Sequence, residues 1–333
     1  MGAGDVFRRA LVVMIVCCAA PFLSGAPAYV HDPSIIKAGG TWYMFSTGHG
    51  IAVKRSQDLR SWEFLPPVFA TTPQWMRSEM PGFSGDIWAP DVTAANGRFF
   101  LYYAVSSFGT NSSFIRLATN VTLDPSSPDY HWVDQGKVIE SVAGLTDWNA
   151  IDPNLVIEDA EHWYLAFGSF WDGIKMIALD PQTGLPARRP PDVISLARRP
   201  DVRNDPIEAS FVYWSNGYWY LFVSFDYCCK GAGSDYKIAV GRSANVRGPY
   251  VDASGTRMLE GGGTILLQSS GDVHGPGAAS VLRDGETDYL VHHMYDARHG
   301  GVPVLQIRPL RWSETGWPVP GEPIAEAPVP KGR

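Results

Sequence analysis

Short runs in which hydrophobic and polar residues alternate recur along most of the chain. Five segments share one layout: a small or acidic first residue, a short alternating run, a polar or glycine-containing turn, and an aromatic-rich run. The segments are DPSIIKAGGTWYMF from Asp32, APDVTAANGRFFLYY from Ala89, DPNLVIEDAEHWYLAF from Asp152, EASFVYWSNGYWYLF from Glu208 and GAASVLRDGETDYLVHH from Gly277. Alternation with a period of two on both sides of a tight turn predicts a β-hairpin in each segment.

The hairpins recur at a regular spacing, with starts 57, 63, 56 and 69 residues apart. Each is followed by a further strand-like stretch, in chain order GIAVKRS, FIRLATN, IKMIALD, KIAVGRS and VLQIRPL. A four-stranded unit of about sixty residues that occurs five times predicts an all-β fold, a five-bladed β-propeller. Because one blade cannot bury both faces of its sheet, residues 27–333 are predicted to form a single propeller domain.

The first 26 residues have a different character. Arg8 and Arg9 precede the apolar run ALVVMIVCCAAPFL, which is followed by the small residues SGA. This order predicts a signal peptide over residues 1–26 and therefore a secreted protein. A lipoprotein anchored through Cys17 or Cys18 is a weaker alternative, because Cys17 falls inside the apolar run. No later segment is apolar enough to cross a membrane, so we expect no membrane association after the leader is cleaved.

Composition narrows the class of ligand. Of the 333 residues 45% are hydrophobic and 18% are charged, and the formal net charge is −7. A negatively charged surface argues against nucleic acid as a partner, because phosphate binding needs concentrated Lys and Arg. The 12 Trp, 14 Tyr and 15 Phe suit a sugar ligand, although most of them are expected in core packing. We therefore expect a neutral ligand, and a monomer.

Outside the predicted leader the chain has two cysteines, Cys228 and Cys229, adjacent in FDYCCKG. Adjacent cysteines cannot join distant parts of a fold, so they either close a ring between neighbours or stay as two thiols. Their spacing is not that of a zinc site. We interpret them as local loop structure.

Three of the five repeats begin with an acidic residue or with Asp-Pro: Asp32, Asp152 and Glu208. The innermost strands of a propeller run along its central channel, so equivalent positions of successive blades converge on the axis. We therefore expect the three carboxyl groups to form one cluster. The alternative is a calcium site, but the set lacks the dense oxygen spacing of a calcium loop.

Such a cluster suits the hydrolysis of a glycosidic bond. The reaction needs one carboxylic acid to protonate the leaving oxygen and one carboxylate to activate water or to attack. A third carboxylate about 5 Å away repels its neighbour by roughly 3 kcal/mol at an effective dielectric constant near 20, or about two pKa units. The three acids can therefore hold different protonation states at one pH.

The stretches VHDPS, SGDIWAPD, WNAIDPN, PIEASF, SFDYCCKG and GGGTILL, in this order, resemble the endo-α-1,5-L-arabinanases of glycoside hydrolase family 43. The resemblance covers essentially the whole mature chain. It implies a five-bladed propeller that cleaves arabinan, a side chain of pectin, with inversion at the anomeric carbon. It also implies that Asp32 is the general base, that Glu208 is the general acid, and that Asp152 raises the pKa of the acid and orients it.

The same resemblance implies substrate contacts at six positions: Trp88, Phe108, Asn149, Ser169, Phe170 and Trp171. For Phe108 a role in packing is the alternative. Many members of the family hold a central metal ion with a histidine directly after GPG, where this chain has Ala278. We therefore assign no metal ligand and expect no required cofactor. His274, just before GPG, is a speculative ligand, and an ion, if bound, is expected to be Ca²⁺.

Two other functions remain open at this point. The first is an exo-acting α-L-arabinofuranosidase or β-xylosidase of the same family, in which a loop would block one end of the groove. The chain has no long insertion between repeats, which favours endo action. The second, of another class, is a propeller that binds sugar without catalysis.

Overall fold

The protein is described in a computed structural model over residues 29–80, 83 and 85–324. The predicted signal peptide, residues 1–26, lies outside these described residues. None of the helices in the described ranges is long and apolar enough to span a lipid bilayer.

The described residues form twenty-one strands, one short α-helix and three single turns of 3₁₀-helix. In chain order the strands are β1 (Ser34–Ala38), β2 (Thr41–Ser46), β3 (Gly48–His49), β4 (Ala52–Ser56), β5 (Glu63–Leu65), β6 (Asp86–Ala95), β7 (Arg98–Val105), β8 (Ser113–Asn120), β9 (Val133–Ser141), β10 (Asn154–Ile157), β11 (Trp163–Phe167), β12 (Ile174–Leu179), β13 (Ile194–Ala197), β14 (Ile207–Ser215), β15 (Tyr218–Phe225), β16 (Lys237–Ser243), β17 (Thr264–Leu267), β18 (Val273–Asp284), β19 (Thr287–Asp296), β20 (Val302–Trp312) and β21 (Pro318–Pro320). The helix is α1 (Gln74–Glu79), and the 3₁₀ turns are Gly231–Gly233, Met258–Glu260 and Ala297–His299.

The strands pair into five antiparallel sheets in the orders β1-β2-β4-β5, β3-β6-β7-β8-β9, β10-β11-β12-β13, β14-β15-β16-β17 and β18-β19-β20-β21. The first long strands of the sheets, β1, β6, β10, β14 and β18, contact one another in that order, and β18 in turn contacts β1. The sheets are therefore the blades of a closed five-bladed β-propeller, which confirms the predicted fold.

Within residues 29–324 as described, no N-terminal strand joins the fifth blade, whose sheet consists of β18 to β21. Instead, the N–H of Val30 donates to the carbonyl of Pro303 at 3.0 Å, next to an isolated bridge between Tyr29 and Val304. Residues of the first and fifth blades, among them Met44 and Val291, pack in one core cluster. Closure therefore rests mainly on side-chain packing.

Each blade buries both faces because its strands alternate with a period of two. In β15, Leu221 and Val223 pack with residues of the third blade, whereas Tyr220 and Phe222 pack with residues of the fifth. All four side chains are fully buried. The hydrophobic core therefore consists of five clusters, one between each pair of neighbouring blades.

The innermost strand of each blade starts near a non-glycine residue with a left-handed backbone. These residues are Asp32 (φ 51°), Ala89 (φ 41°), Asp152 (φ 56°), Ala209 (φ 54°) and Ala278 (φ 51°). A positive φ is uncommon outside glycine, so its recurrence identifies equivalent positions of the five blades. In the fourth blade the equivalent of Asp32 is therefore Ala209, and the alignment that placed Glu208 there was wrong by one residue. The fifth blade shows the same shift, from Gly277 to Ala278.

A narrow axial cavity of about 50 Å³ supports this register. It is lined by residues 32–34, 89–91, 152–153, 209–211 and 278–280. Glu208 directly precedes the lining residues 209–211 of the fourth blade, just as His31 directly precedes the lining residues 32–34 of the first blade.

Candidate active site

A cavity of about 460 Å³ lies at the end of the axis where the innermost strands start. It is lined by Asp32 of the first blade, Asp152 of the third and Glu208 of the fourth. The predicted convergence of the three acids on one cavity is therefore present in the fold.

All six predicted contact residues also line this cavity: Trp88, Phe108, Asn149, Ser169, Phe170 and Trp171. Phe108 is 81% exposed and Trp171 is 41% exposed, so neither ring is part of the core. Both rings offer flat apolar surface to a ligand. Their contact with sugar stays a prediction.

Asp32 is held by partners that favour its ionised form. Thr47 Oγ1 donates to Asp32 Oδ2 at 2.6 Å, and His31 Nδ1 lies 2.8 Å from the same oxygen. Burial disfavours the charge of Asp32, but the charge and hydrogen bond of His31, together with Thr47, outweigh burial and hold the pKa of Asp32 well below its usual range. Asp32 is therefore a carboxylate at neutral pH.

The backbone of Asp32 is also fixed. Its N–H donates to Nδ1 of His293 at 3.2 Å. Burial lowers the pKa of His293 well below its usual value, so this ring is neutral and its Nδ1 can accept. The hydrogen bond stabilises the left-handed backbone at Asp32.

Glu208 is buried at the start of β14 and accepts two hydrogen bonds from side chains. Ser169 Oγ donates to Oε2 at 2.5 Å, and the hydroxyl of Tyr236 donates to Oε1. Burial, helped by the negative charge of Asp32, raises the pKa of Glu208 despite these donors. Glu208 therefore retains its proton to higher pH than an exposed glutamate does.

Asp152 is coupled to Glu208. Its Oδ2 accepts a hydrogen bond from the N–H of Ala209 at 3.0 Å. Burial, followed by the charges of Glu208 and Asp32, raises the pKa of Asp152 well above its usual value. Two interacting acids titrate as a pair, and this pair keeps a proton at pH values where Asp32 has lost its own. The cavity therefore offers a carboxylate and a carboxylic acid at the same pH, as general acid–base hydrolysis requires.

Several residues of the site were not assigned from sequence. Thr47 and Tyr236 hydrogen-bond the carboxyl groups of Asp32 and Glu208, and Tyr295 contacts His31. Single hydroxyl residues within strands or loops have no local signature. For His31 the only available signal was its position next to Asp32.

The site has few potential metal ligands. In the described part of the chain two groupings have at least three ligand atoms within reach of one ion: His31 with Cys228 and Cys229, and His31 with Asp32 and His293. Neither includes the speculative ligand His274. Cys228 and Cys229 are joined by a disulfide, so the first grouping lacks thiolates. Calcium takes six to eight oxygen ligands, and among the side chains of the second grouping only Asp32 offers oxygen, so this grouping does not by itself make a calcium site.

Comparisons with known proteins agree with this geometry. The family model described as glycosyl hydrolases family 43 matches residues 20–318. The extracellular exo-α-(1→5)-L-arabinofuranosidase ArbA of Cellvibrio japonicus is 40% identical over 316 residues, which cover 92% of this chain and 91% of that protein. The extracellular endo-α-(1→5)-L-arabinanase 1 of Bacillus subtilis is 42% identical over 303 residues, which cover 90% of each chain.

Among solved structures, the α-L-arabinanase of Cellvibrio cellulosa in complex with arabinohexaose superposes with a TM-score of 0.84. It is 40% identical, and the match covers 89% of this chain and 96% of that one. The similarity therefore extends through the whole propeller and is not limited to the cavity.

Proposed function

We propose, from the premise that this chain belongs to glycosyl hydrolase family 43, that it hydrolyses α-1,5-linked L-arabinan, a side chain of pectin, by endo action. Two observations support the substrate. The B. subtilis relative is named an endo-arabinanase, and the C. cellulosa arabinanase was solved with arabinohexaose. We further propose that the reaction inverts the anomeric carbon, which proton NMR of the nascent product tests.

The observation that carries the proposal is the convergence of Asp32, Asp152 and Glu208 on one cavity, where their surroundings shift the pKa of Asp32 down and those of Asp152 and Glu208 up. Asp32 is ionised and accepts a proton from the attacking water as the general base. Glu208, whose pKa is raised, donates its proton to the leaving glycosidic oxygen as the general acid. Asp152 is proposed as the residue that modulates the pKa of Glu208 and orients it: ionisation of either of these two buried acids disfavours ionisation of the other, so the pair retains a proton for the leaving group. Both proton transfers fall to carboxyl groups, so we propose that no metal ion takes part in the chemical step.

The proposal is tested by two conservative substitutions. Asp32→Asn and Glu208→Gln should each lower kcat by roughly 10²–10⁴-fold on linear arabinan, because each removes a positioned proton transfer. Asp86→Asn is the matched control, since Asp86 lines the same cavity but makes no hydrogen bond to the three acids among the described residues. Near-normal rates in both active-site variants would reject the assignment and favour a sugar-binding propeller without catalysis.

Exo action is the second candidate, because the C. japonicus relative is named an exo-arabinofuranosidase at similar identity. The two modes differ in how fast the polymer shortens. Endo cleavage lowers the viscosity of debranched arabinan early, when few reducing ends have formed. Slow viscosity loss relative to reducing ends would reject endo action and leave the family assignment intact.

We also propose that the protein is secreted and acts as a monomer. Secretion is supported by the predicted leader and by the two relatives named extracellular. Activity in the culture medium of the expressing cell tests secretion, and light scattering of the purified protein tests the monomer.

A further inference from the structure

The disulfide between Cys228 and Cys229 lies in a loop of the fourth blade that contacts both the fifth and the first blade. This loop, residues 226–236, leaves β15 and returns in β16 of the fourth blade. Its 3₁₀ turn, Gly231–Gly233, contacts β18, β19 and β20 of the fifth blade. Sγ of Cys229 lies 3.7 Å from Nε2 of His31 in the first blade, and both cysteines line the cavity. The loop therefore reaches across the fifth blade to the residue next to Asp32.

A continuous set of hydrogen bonds links this loop to Asp32. The N–H of Cys229 donates to the hydroxyl oxygen of Tyr295 at 2.8 Å. That hydroxyl lies 2.9 Å from Nε2 of His31, and Nδ1 of His31 lies 2.8 Å from Asp32 Oδ2. The Tyr295 hydroxyl therefore hydrogen-bonds both the Cys229 N–H and Nε2 of His31, and the direction of the second bond depends on the protonation of the ring. In either protonation state Nδ1 of His31 carries a proton and donates it to Asp32 Oδ2.

The ring plane of His31 is fixed as well. It stacks on His293, with ring centroids 4.0 Å apart and planes inclined by 25°. Stacking restricts the tilt of the imidazole, whereas the hydrogen bond with Tyr295 restricts its rotation in the plane. Together they hold Nδ1 towards the carboxylate of Asp32.

The disulfide constrains the backbone N–H of Cys229, which is the donor to Tyr295. A bond between neighbouring residues adds no link between distant parts of the fold, but it restricts the backbone at Cys229, which has a left-handed φ of 67°. The ends of the loop are tied by two hydrogen bonds, from the N–H of Tyr227 to Asp235 Oδ1 and from the N–H of Asp235 to the carbonyl of Tyr227. The segment that carries the Cys229 N–H is therefore constrained at its base and at the disulfide.

We propose that the Cys228–Cys229 disulfide and Tyr295 are positioning elements of the general base: they fix His31, and His31 orients Asp32. The inference rests on the proposed function, because it assigns these residues to the step in which Asp32 activates water. Tyr295 does not line the cavity, so it acts through His31 and not on the substrate. Because the hydrogen bonds from Cys229 through Tyr295 and His31 reach Asp32, we expect the activity to depend on this disulfide, although it joins no distant parts of the chain.

The first test is Tyr295→Phe, which removes only the hydroxyl. We expect kcat on linear arabinan to fall about tenfold or more, because small misplacements of a reacting group cost up to about 10²-fold. KM should change by less than about twofold, since no binding surface is altered. Tyr289→Phe is the matched control on the same strand, because the Tyr289 hydroxyl makes no hydrogen bond to another side chain among the described residues. It should leave both constants unchanged.

The second test uses reduction of the folded enzyme with a phosphine. Reduction should lower the kcat of the wild type with KM retained. The double variant Cys228→Ser/Cys229→Ser should have the lowered kcat from the start and should not respond to the reductant. In Tyr295→Phe, reduction should have a smaller effect than in the wild type, because the hydrogen-bonded link from the Cys229 N–H to His31 is already broken and only the contact of Cys229 Sγ with His31 Nε2 remains. Circular dichroism confirms that each sample is folded.

The outcomes separate this inference from the proposed function. A wild type without activity on arabinan rejects the function. An active wild type with kcat unchanged by reduction and by Tyr295→Phe overturns the inference and leaves the function intact. The inference is also overturned if the fold-losses in kcat caused by reduction and by Tyr295→Phe multiply in full when combined. The disulfide and Tyr295 would then affect kcat independently of each other. If Tyr295→Phe does not fold, the response of the wild type and of the double serine variant to reduction decides.

Discussion

Tyr236 provides a quantitative test of how the acid is tuned. Its hydroxyl donates to Oε1 of Glu208, and its side chain is buried, with 3% exposed, so Tyr236→Phe removes this donor from a largely enclosed place. A donor to a carboxylate favours the ionised form, and it therefore lowers the pKa of Glu208. Removing this donor should raise that pKa.

The size of the shift follows from the strength of the lost bond. A hydrogen bond to a charged group contributes about 1.5–3 kcal/mol, and one pKa unit corresponds to about 1.4 kcal/mol. The pKa of Glu208 should therefore rise by about one to two units. Activity falls at high pH when the general acid loses its proton, so the alkaline limb of kcat/KM should move to higher pH by this amount.

The assay is the pH dependence of kcat/KM on linear arabinan, measured by the release of reducing ends. The acidic limb reports Asp32, which Tyr236 does not hydrogen-bond, and it should stay in place. Tyr227→Phe is the control, because Tyr227 lines the same cavity and, among the described residues, its hydroxyl hydrogen-bonds only Asn204 Nδ2, at 3.5 Å. An alkaline limb that is unmoved, or moved to lower pH, would refute the role of Glu208 as the acid or the tuning by its donors.

Three further predictions concern stability and cofactors. Asp152→Asn should abolish most activity, yet it should raise the melting temperature more at about pH 8 than at about pH 5. The pKa of Asp152 is higher in the folded than in the unfolded protein, so the wild type loses stability as the pH rises toward the folded-state pKa. The amide of the variant does not titrate and therefore avoids this loss. An equal change at both pH values would show that Asp152 is not held protonated by the fold. Exhaustive chelation should leave kcat unchanged, and a large loss that Ca²⁺ alone restores would contradict catalysis by carboxyl groups without a metal. Leu221→Ala should lower the free energy of unfolding, measured in urea, by about 2–5 kcal/mol, because it opens a cavity between the third and fourth blades. A loss below about 1 kcal/mol would show that this interface is not tightly packed.

The sequence alone determined the blades. Alternation, aromatic-rich runs and turn residues are local properties, and a period of two around a tight turn specifies a hairpin wherever it occurs. Their fivefold recurrence was enough to predict the propeller, because repeated sheets with two apolar faces can bury both faces only against one another. It also predicted that Asp32, Asp152 and Glu208 lie near one axis.

Only the tertiary structure decided the register at the axis and the contacts around the acids. Glu208 lies one residue before the left-handed position that Asp32 occupies, and an alanine with positive φ has no mark in the sequence that would reveal this shift. Successive side chains of an extended strand point to opposite sides, so one residue changes the direction from which a carboxyl group enters the cavity. The contact between His31 and Tyr295 spans 264 residues and exists only because the ring closes. Local pattern determines which segments become strands, but the orientation of a side chain and its distant partners depend on how the finished blades pack.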